Sequence, residues 1–112
     1  MNEPAAVPNP PTSPIAAILA SNGHADPLLA FVGHVVVLDT QGPLIYIGML
    51  DRAEPGFLLL SHADVHDTND ARSSKDLYLV ETRDLGVRAN RTLVLVTRRQ
   101  VASISLLADV RS

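Results

Sequence analysis

Cysteine is absent from the 112-residue chain, which excludes disulfides, thiolate metal sites and cysteine nucleophiles. Aromatic residues are few, with two Tyr, two Phe and no Trp. No apolar run approaches the roughly 18 residues that a membrane-spanning helix needs. The N-terminus also lacks the basic segment that precedes the apolar part of a secretory signal. These absences predict a protein without a membrane segment, and we expect it in the cytoplasm.

Charge is divided unevenly along the chain. Residues 1–74 carry two arginines against eight acids, a net of −6, whereas residues 75–112 carry seven cations against four acids, a net of +3. The overall charge of −3 disfavours non-specific binding of nucleic acid, because the long-range field repels phosphate. A local basic surface built by the second half is still compatible with RNA binding.

The first 24 residues differ in composition from the rest. Residues 1–14 contain five prolines and almost no charge, which predicts a flexible, partly polyproline-II arm. Residues 15–20 have the composition for one or two helical turns before Asn22-Gly23 ends them. The length of the chain then favours one folded domain at 25–112.

Short apolar runs bounded by Gly and Pro dominate that domain. Val, Ile, Leu and Tyr are enriched in the runs, and the breakers Gln41-Gly42-Pro43 and Glu54-Pro55-Gly56 separate them, which is typical of strands joined by turns. Gly48 interrupts the second run, where a missing side chain allows a sharp bend. A short helix is expected at 26–32, ended by Gly33. The predicted strands are 34–39, 44–51, 57–63, 91–98 and 100–107.

A long insertion is predicted at about 64–90, between strands 3 and 4. It begins with a polar run and continues as KDLYLVETRDL, followed by Gly86. Residues 75–85 read as a helix in preference to a strand, since a Ser precedes them and Gly86 suits the end of a helix. The strand alternative stays open. The predicted fold is therefore mainly β: a small, strongly bent, five-stranded antiparallel barrel with a short N-terminal helix.

This order of elements, with DPLLAFVG, VVVLD, Gly48-Met49-Leu50, the FLLL run and Val96–Val101, resembles the Sm-like (LSm, Hfq-related) family across about residues 26–107. The resemblance implies an SH3-like barrel whose strand 4 joins strand 5 of the next subunit. It also implies a homo-oligomeric ring of six or seven, with RNA as the ligand of a ribonucleoprotein. Unpaired terminal strands make such closure physically reasonable.

The residues in the family's RNA-reading positions are changed in this chain. Leu58 stands where the family has the Asn that reads uracil, and Thr97 stands where it has the Arg that stacks on the base. Single-stranded RNA is read through base edges and stacking, so an altered specificity is expected. The candidate RNA-binding residues are Phe57, Arg91, Arg98 and Arg99, and the candidate structural residues are Gly33, Gly42, Gly48 and Glu54.

Other chemistry has little support. His62, Asp64 and His66 share one face of a strand and are weak candidates for a metal site, but no second cluster completes four ligands. The sequence has no nucleophile elbow, no phosphate loop and no evident pair of catalytic acids. We therefore expect no enzymatic activity, no cofactor and no resident metal.

Two hypotheses follow from the sequence. In the first, an Sm-like ring binds single-stranded RNA weakly or with altered specificity. In the second, the barrel is a non-catalytic protein-interaction scaffold, and its insertion at 64–90 binds a protein partner through Leu77, Tyr78 and Leu85. The first predicts binding that weakens steeply with salt, and the second predicts indifference to RNA.

Overall fold

One antiparallel sheet of five strands forms the centre of the protein. The computed structural model describes residues 13–21, 26–70 and 74–112. Its strands are β1 (Val35–Thr40), β2 (Leu44–Ala53), β3 (Phe57–Asp67), β4 (Arg91–Thr97) and β5 (Val101–Leu106), and its α-helices are α1 (Pro14–Ala20) and α2 (Lys75–Leu85). Short 3-10 helices occupy Pro27–Phe31, Arg98–Gln100 and Leu107–Asp109. The strand order is β4-β3-β2-β1-β5, and every neighbouring pair is antiparallel.

The chain divides into two compact units, 1–30 and 31–112. In the first unit, α1 begins after Ser13, whose Oγ accepts a hydrogen bond from the backbone N–H of Ala16 at 3.4 Å. Most of the proline-rich arm predicted at 1–24 lies outside the described residues. No helix within the described ranges is long and apolar enough to cross a membrane.

The second unit confirms the predicted strands and the helix between strands 3 and 4. The Oγ of Ser74 caps α2 by accepting from the Leu77 N–H at 3.1 Å, and Gly86 ends the helix with φ +97°. The helix predicted at 26–32 is a 3-10 turn, and Gly33 follows it with φ +89°. The prediction was wrong at one boundary, because β3 continues to Asp67 through residues that were assigned to the insertion.

The sheet buries apolar side chains on both of its faces. Val36, Leu38, Leu50, Leu58 and Leu60 are fully buried on one side. On the other side α2 and the turn after β5 cover a second cluster. Its buried members are Val37, Ile45, Ile47 and Leu107, and Tyr78, Leu79, Val87 and Val110 pack against them.

A bulge interrupts the pairing of β2 and β3 at Gly48. Met49 pairs with Ser61 and Ile47 pairs with Asp64, so two residues of β3 lie opposite Gly48 alone. One of them, His62, has a positive φ of 47°. A Cβ placed on Gly48 would lie 3.0 Å from the Cα and Cβ of Ala63 and from the carbonyl oxygen of Ser61. Glycine is therefore needed here for a close backbone approach.

We predict that Gly48→Ala destabilises the protein by about 1–3 kcal/mol, because the clash is with backbone atoms that cannot move without disturbing the bulge. Chemical denaturation followed by circular dichroism measures this loss. Gly42→Ala is the matched control, since a Cβ there would meet nothing within 4 Å. Equal stability of the two variants would contradict the prediction.

Candidate functional site

The connection between β4 and β5 brings three of the four predicted RNA-binding positions together, Phe57, Arg98 and Arg99. Phe57, at the start of β3, pairs with Thr97 at the end of β4, and the Arg98–Gln100 turn follows directly. The Arg98 guanidinium donates from Nε and Nη2 to the Glu54 carbonyl oxygen at 3.0 and 2.7 Å. Its backbone N–H bonds the Gly56 carbonyl at 3.1 Å. Arg98 therefore fastens the β2–β3 turn to the β4–β5 turn.

The β1–β2 turn holds the same connection from its other side. The backbone N–H of Gln41 donates to the Gln100 carbonyl at 2.9 Å, and its side-chain Nε2 donates to the Arg99 carbonyl at 3.3 Å. The side chain of Arg99 is exposed. Phe57 and Arg99 thus lie near one end of the sheet, where three turns meet.

Arg91, the fourth predicted RNA-binding residue, lies apart from this group. It begins β4 opposite Ala63, about 20 Å from Arg98 at the strand rise of roughly 3.3 Å per residue. Leu58 has no exposed surface. The sequence alone indicates neither this separation nor this burial.

The other predicted structural positions have local tasks. Glu54 pairs its carboxylate with Arg52 at 3.2 Å on the surface, and its backbone exchanges hydrogen bonds with Phe57. The Gly42 N–H donates to Thr40 Oγ1 at 3.3 Å in the β1–β2 turn. These contacts shape the turns.

The three weak metal candidates do not share a face. The bulge moves exposed His62 out of line, so Ser61 and not His62 precedes Asp64 on that face. Within the described ranges, no group of three His, Asp or Glu side chains is placed to hold a metal ion. Asp64 and His66 have another partner, which sequence reasoning missed.

That partner is Tyr78 on α2. Its hydroxyl donates to Asp64 Oδ2 at 2.5 Å, and its ring stacks on His66 with centroids 3.8 Å apart. Asn90 Nδ2 donates to Asp64 Oδ1 at 3.1 Å, and Asn90 Oδ1 accepts from the Val65 N–H at 2.9 Å. Burial, together with the hydrogen bond to Asp64, raises the pKa of Tyr78. Through these contacts α2 packs against the polar end of β3.

The outer face of β4 is apolar and uncovered. Leu93 is 59% exposed and Leu95 is 54% exposed, whereas Val96 on the opposite face is 3% exposed. On β3, Ser61 is the register partner of Leu93, and Leu59 is the register partner of Leu95. In the sheet formed by the described residues β4 is an edge strand, as is β5 at the other side. Two exposed leucines therefore lie beside an open strand edge.

A groove lies beside the far end of β5. It has a volume of about 390 Å³ and separates the C-terminal turn of α2 from the start of β1 and the end of β5. Its lining is mostly apolar and includes Val35, Val87, Leu106, Leu107 and Ala108. The surface of α2 itself exposes Leu77 and Leu85, at 47% and 81%, while Tyr78 faces β3.

Comparison with known proteins gives limited similarity. Neither a family model nor a curated protein matches the sequence. Among the solved structures that resemble it are the crystal structures of the NatC complex bound to CoA and of the NatC complex bound to Gag peptide and CoA. Each similar chain is 25% identical over 70% of this chain, with 82% and 89% of its own length covered and a TM-score of 0.48. A TM-score below 0.5 does not identify a shared function.

We predict that Tyr78→Phe destabilises the protein by about 1 kcal/mol, the typical net value of one hydrogen bond. Because the folded-state pKa of Tyr78 lies above the unfolded value of about 10, its contribution is complete below pH 10 and is lost as pH rises further. Wild type should therefore lose stability above pH 10 more steeply than the variant. Denaturant unfolding at several pH values measures both effects.

Tyr46→Phe is the control for this experiment, since the Tyr46 hydroxyl has no hydrogen bond within the described part of the chain. If both Phe variants had the same stability and the same alkaline profile, the bond to Asp64 would contribute nothing.

Proposed function

We propose that the chain is an Sm-like barrel that acts as a non-catalytic protein-interaction subunit, joining neighbouring subunits through the open edges of β4 and β5. A second copy of the chain is the first expected neighbour, as in the rings of six or seven that the family resemblance implies. The observation that carries the proposal is the pair of unprotected edges, one of which bears Leu93 and Leu95.

The short connection between the edge strands supports a barrel. In a flat sheet of five strands the edges lie about 19 Å apart, at roughly 4.8 Å per strand. The three residues Arg98–Gln100 form a 3-10 turn, which advances only about 2 Å per residue. A curled sheet would bring these ends together, and the bulge opposite Gly48 is a bend of the kind that such a curl needs.

The composition of the edges supports subunit assembly. Monomeric proteins protect edge strands with Lys, Pro or inward-pointing charge, because unpaired N–H and C=O groups otherwise bind further strands. Residues 92–97 of β4 and 101–106 of β5 contain no charged residue and no Pro. Each edge can therefore accept a strand from another subunit by main-chain hydrogen bonding.

We predict that the wild-type chain forms an assembly several times heavier than its 12.0 kDa, and that Leu95→Lys reduces it to single chains. The lysine should leave the fold intact because Leu95 is 54% exposed, and it should block pairing as natural edge lysines do. Size-exclusion chromatography with light scattering measures the mass, and circular dichroism checks the fold.

Leu77→Lys is the matched control, because Leu77 is similarly exposed on α2. If Leu77→Lys dissociated the assembly and Leu95→Lys did not, the interface would lie on the insertion and not on the edge of β4. A wild-type mass of 12.0 kDa at every concentration would contradict assembly from copies of the chain.

RNA association is the second candidate function. It is favoured by the placement of Phe57 near exposed Arg99, which offers a stacking face and a guanidinium close together. Arg98 contributes less to this surface, since its guanidinium is bonded to the Glu54 carbonyl. Burial of Leu58 removes the usual base-edge reader, so the expected binding is weak and depends on salt.

We predict that Arg99→Glu lowers affinity for a labelled uridine-rich oligonucleotide about tenfold, the loss of about 1.4 kcal/mol of contact energy. Fluorescence anisotropy at two salt concentrations measures it. Arg88→Glu, an exposed arginine outside the three turns, serves as the control. The RNA candidate fails if the wild type does not bind, or if both reversals weaken binding equally.

A further inference from the structure

We propose that the groove beside β5 is the receptor for Leu93 of a neighbouring copy, so that each subunit carries a leucine projection on one sheet edge and its socket beside the other. This inference rests on the edge-to-edge assembly proposed above and adds the side chains that give it register. In this inference α2 has a role in assembly, because its C-terminal turn forms one wall of the groove.

The groove suits an apolar occupant because most of its lining is apolar, and two of its three polar side chains, Thr82 and Arg83, are already bonded; His34 is the third. Thr82 is 7% exposed, and its Oγ1 donates to the Tyr78 carbonyl at 2.8 Å. The Arg83 guanidinium bonds the Asp84 carboxylate at 2.8 Å and also the Val110 carbonyl. The Arg83 guanidinium is therefore engaged within the wall. An aliphatic side chain would gain burial there without breaking the hydrogen bonds of Thr82 and Arg83.

Leu93 lies on the same face and in the same row of the sheet as the groove. Successive register partners connect Leu93 to Ser61, Ser61 to Met49, and Met49 to Val35, and Val35 lines the groove. Directly paired residues point to one face. The leucine and the groove are thus at opposite edges of one surface.

Antiparallel pairing brings the two features together. Every strand pair in the sheet is antiparallel, and continuing this pattern places the start of β4 beside the end of a neighbour's β5. Continuing the row of register partners across the interface places Leu93 opposite Leu107, which lines the groove. Arg91 then lies opposite Asp109.

Charge at the two ends is complementary in this arrangement. Arg91 is exposed two residues before Leu93, and Asp109 is exposed directly after the groove residue Ala108. The pairing places the arginine opposite the neighbour's aspartate, and opposite charges of this kind fix register between subunits. A second copy of the chain therefore satisfies the groove in both shape and charge.

Leu93→Ala should weaken subunit association about tenfold, because it removes most of one buried leucine side chain. Ala108→Phe, which fills the groove, should weaken it to a similar extent. The double variant should be no weaker than Ala108→Phe alone, since the two changes remove the same contact. Sedimentation equilibrium measures the dissociation constants, and Leu77→Ala on the open face of α2 is the control.

Charge reversal gives an independent test of register. Arg91→Asp and Asp109→Arg should each weaken association, and the combined variant should restore it, an outcome that loss of folding cannot produce. If association is lost in Leu95→Lys but is unaffected by Leu93→Ala and shows no charge rescue, the groove inference is overturned and edge pairing stands. If the wild type is a single chain at every concentration, both are overturned.

Discussion

The close approach of the paired strands β2 and β3 at Gly48 is the constraint on which the remaining architecture depends. On one side of it, the first half of β2 and the polar end of β3 lie beneath α2, with Ile45 and Ile47 in the covered cluster. On the other side, the first half of β3 pairs with β4. The bulge at His62 changes the register between the two halves. One sheet therefore has a part covered by a helix and a part that remains open.

Burial differs between two strands that look alike in sequence. In β1, Val36, Val37 and Leu38 are all buried, because α2 and the C-terminal turn cover the face opposite the main core. In β4 the run LVLV is equally apolar, yet Leu95 is 54% exposed. Continuous apolar runs are typical of strands buried on both faces. The comparison indicates that β4 has the composition of a covered strand, while no element among the described residues covers its outer face.

The sequence predicted the elements well and the relations between them poorly. Gly-Pro breakers and apolar runs located all five strands, and a serine cap with Gly86 located α2, because these signals act within a few residues. The sequence pattern assigns the polar end of β3 to the insertion, since nothing local reveals that Asp64 and His66 contact Tyr78 on a helix. Likewise, the arginines were grouped by charge, whereas Arg91 lies a full strand away from Arg98.

The proposed contact between β4 of one copy and β5 of the next would be head-to-tail, so every open row of copies would keep one free edge of each kind. Such contacts either close into a ring or continue into a filament. The three-residue connection at Arg98–Gln100 holds the ends of β4 and β5 close together, which would favour closure of the proposed assembly. Arg98 also bonds the adjacent turn through the Glu54 carbonyl. A fixed angle between neighbouring edges is what distinguishes a closed ring from a fibre.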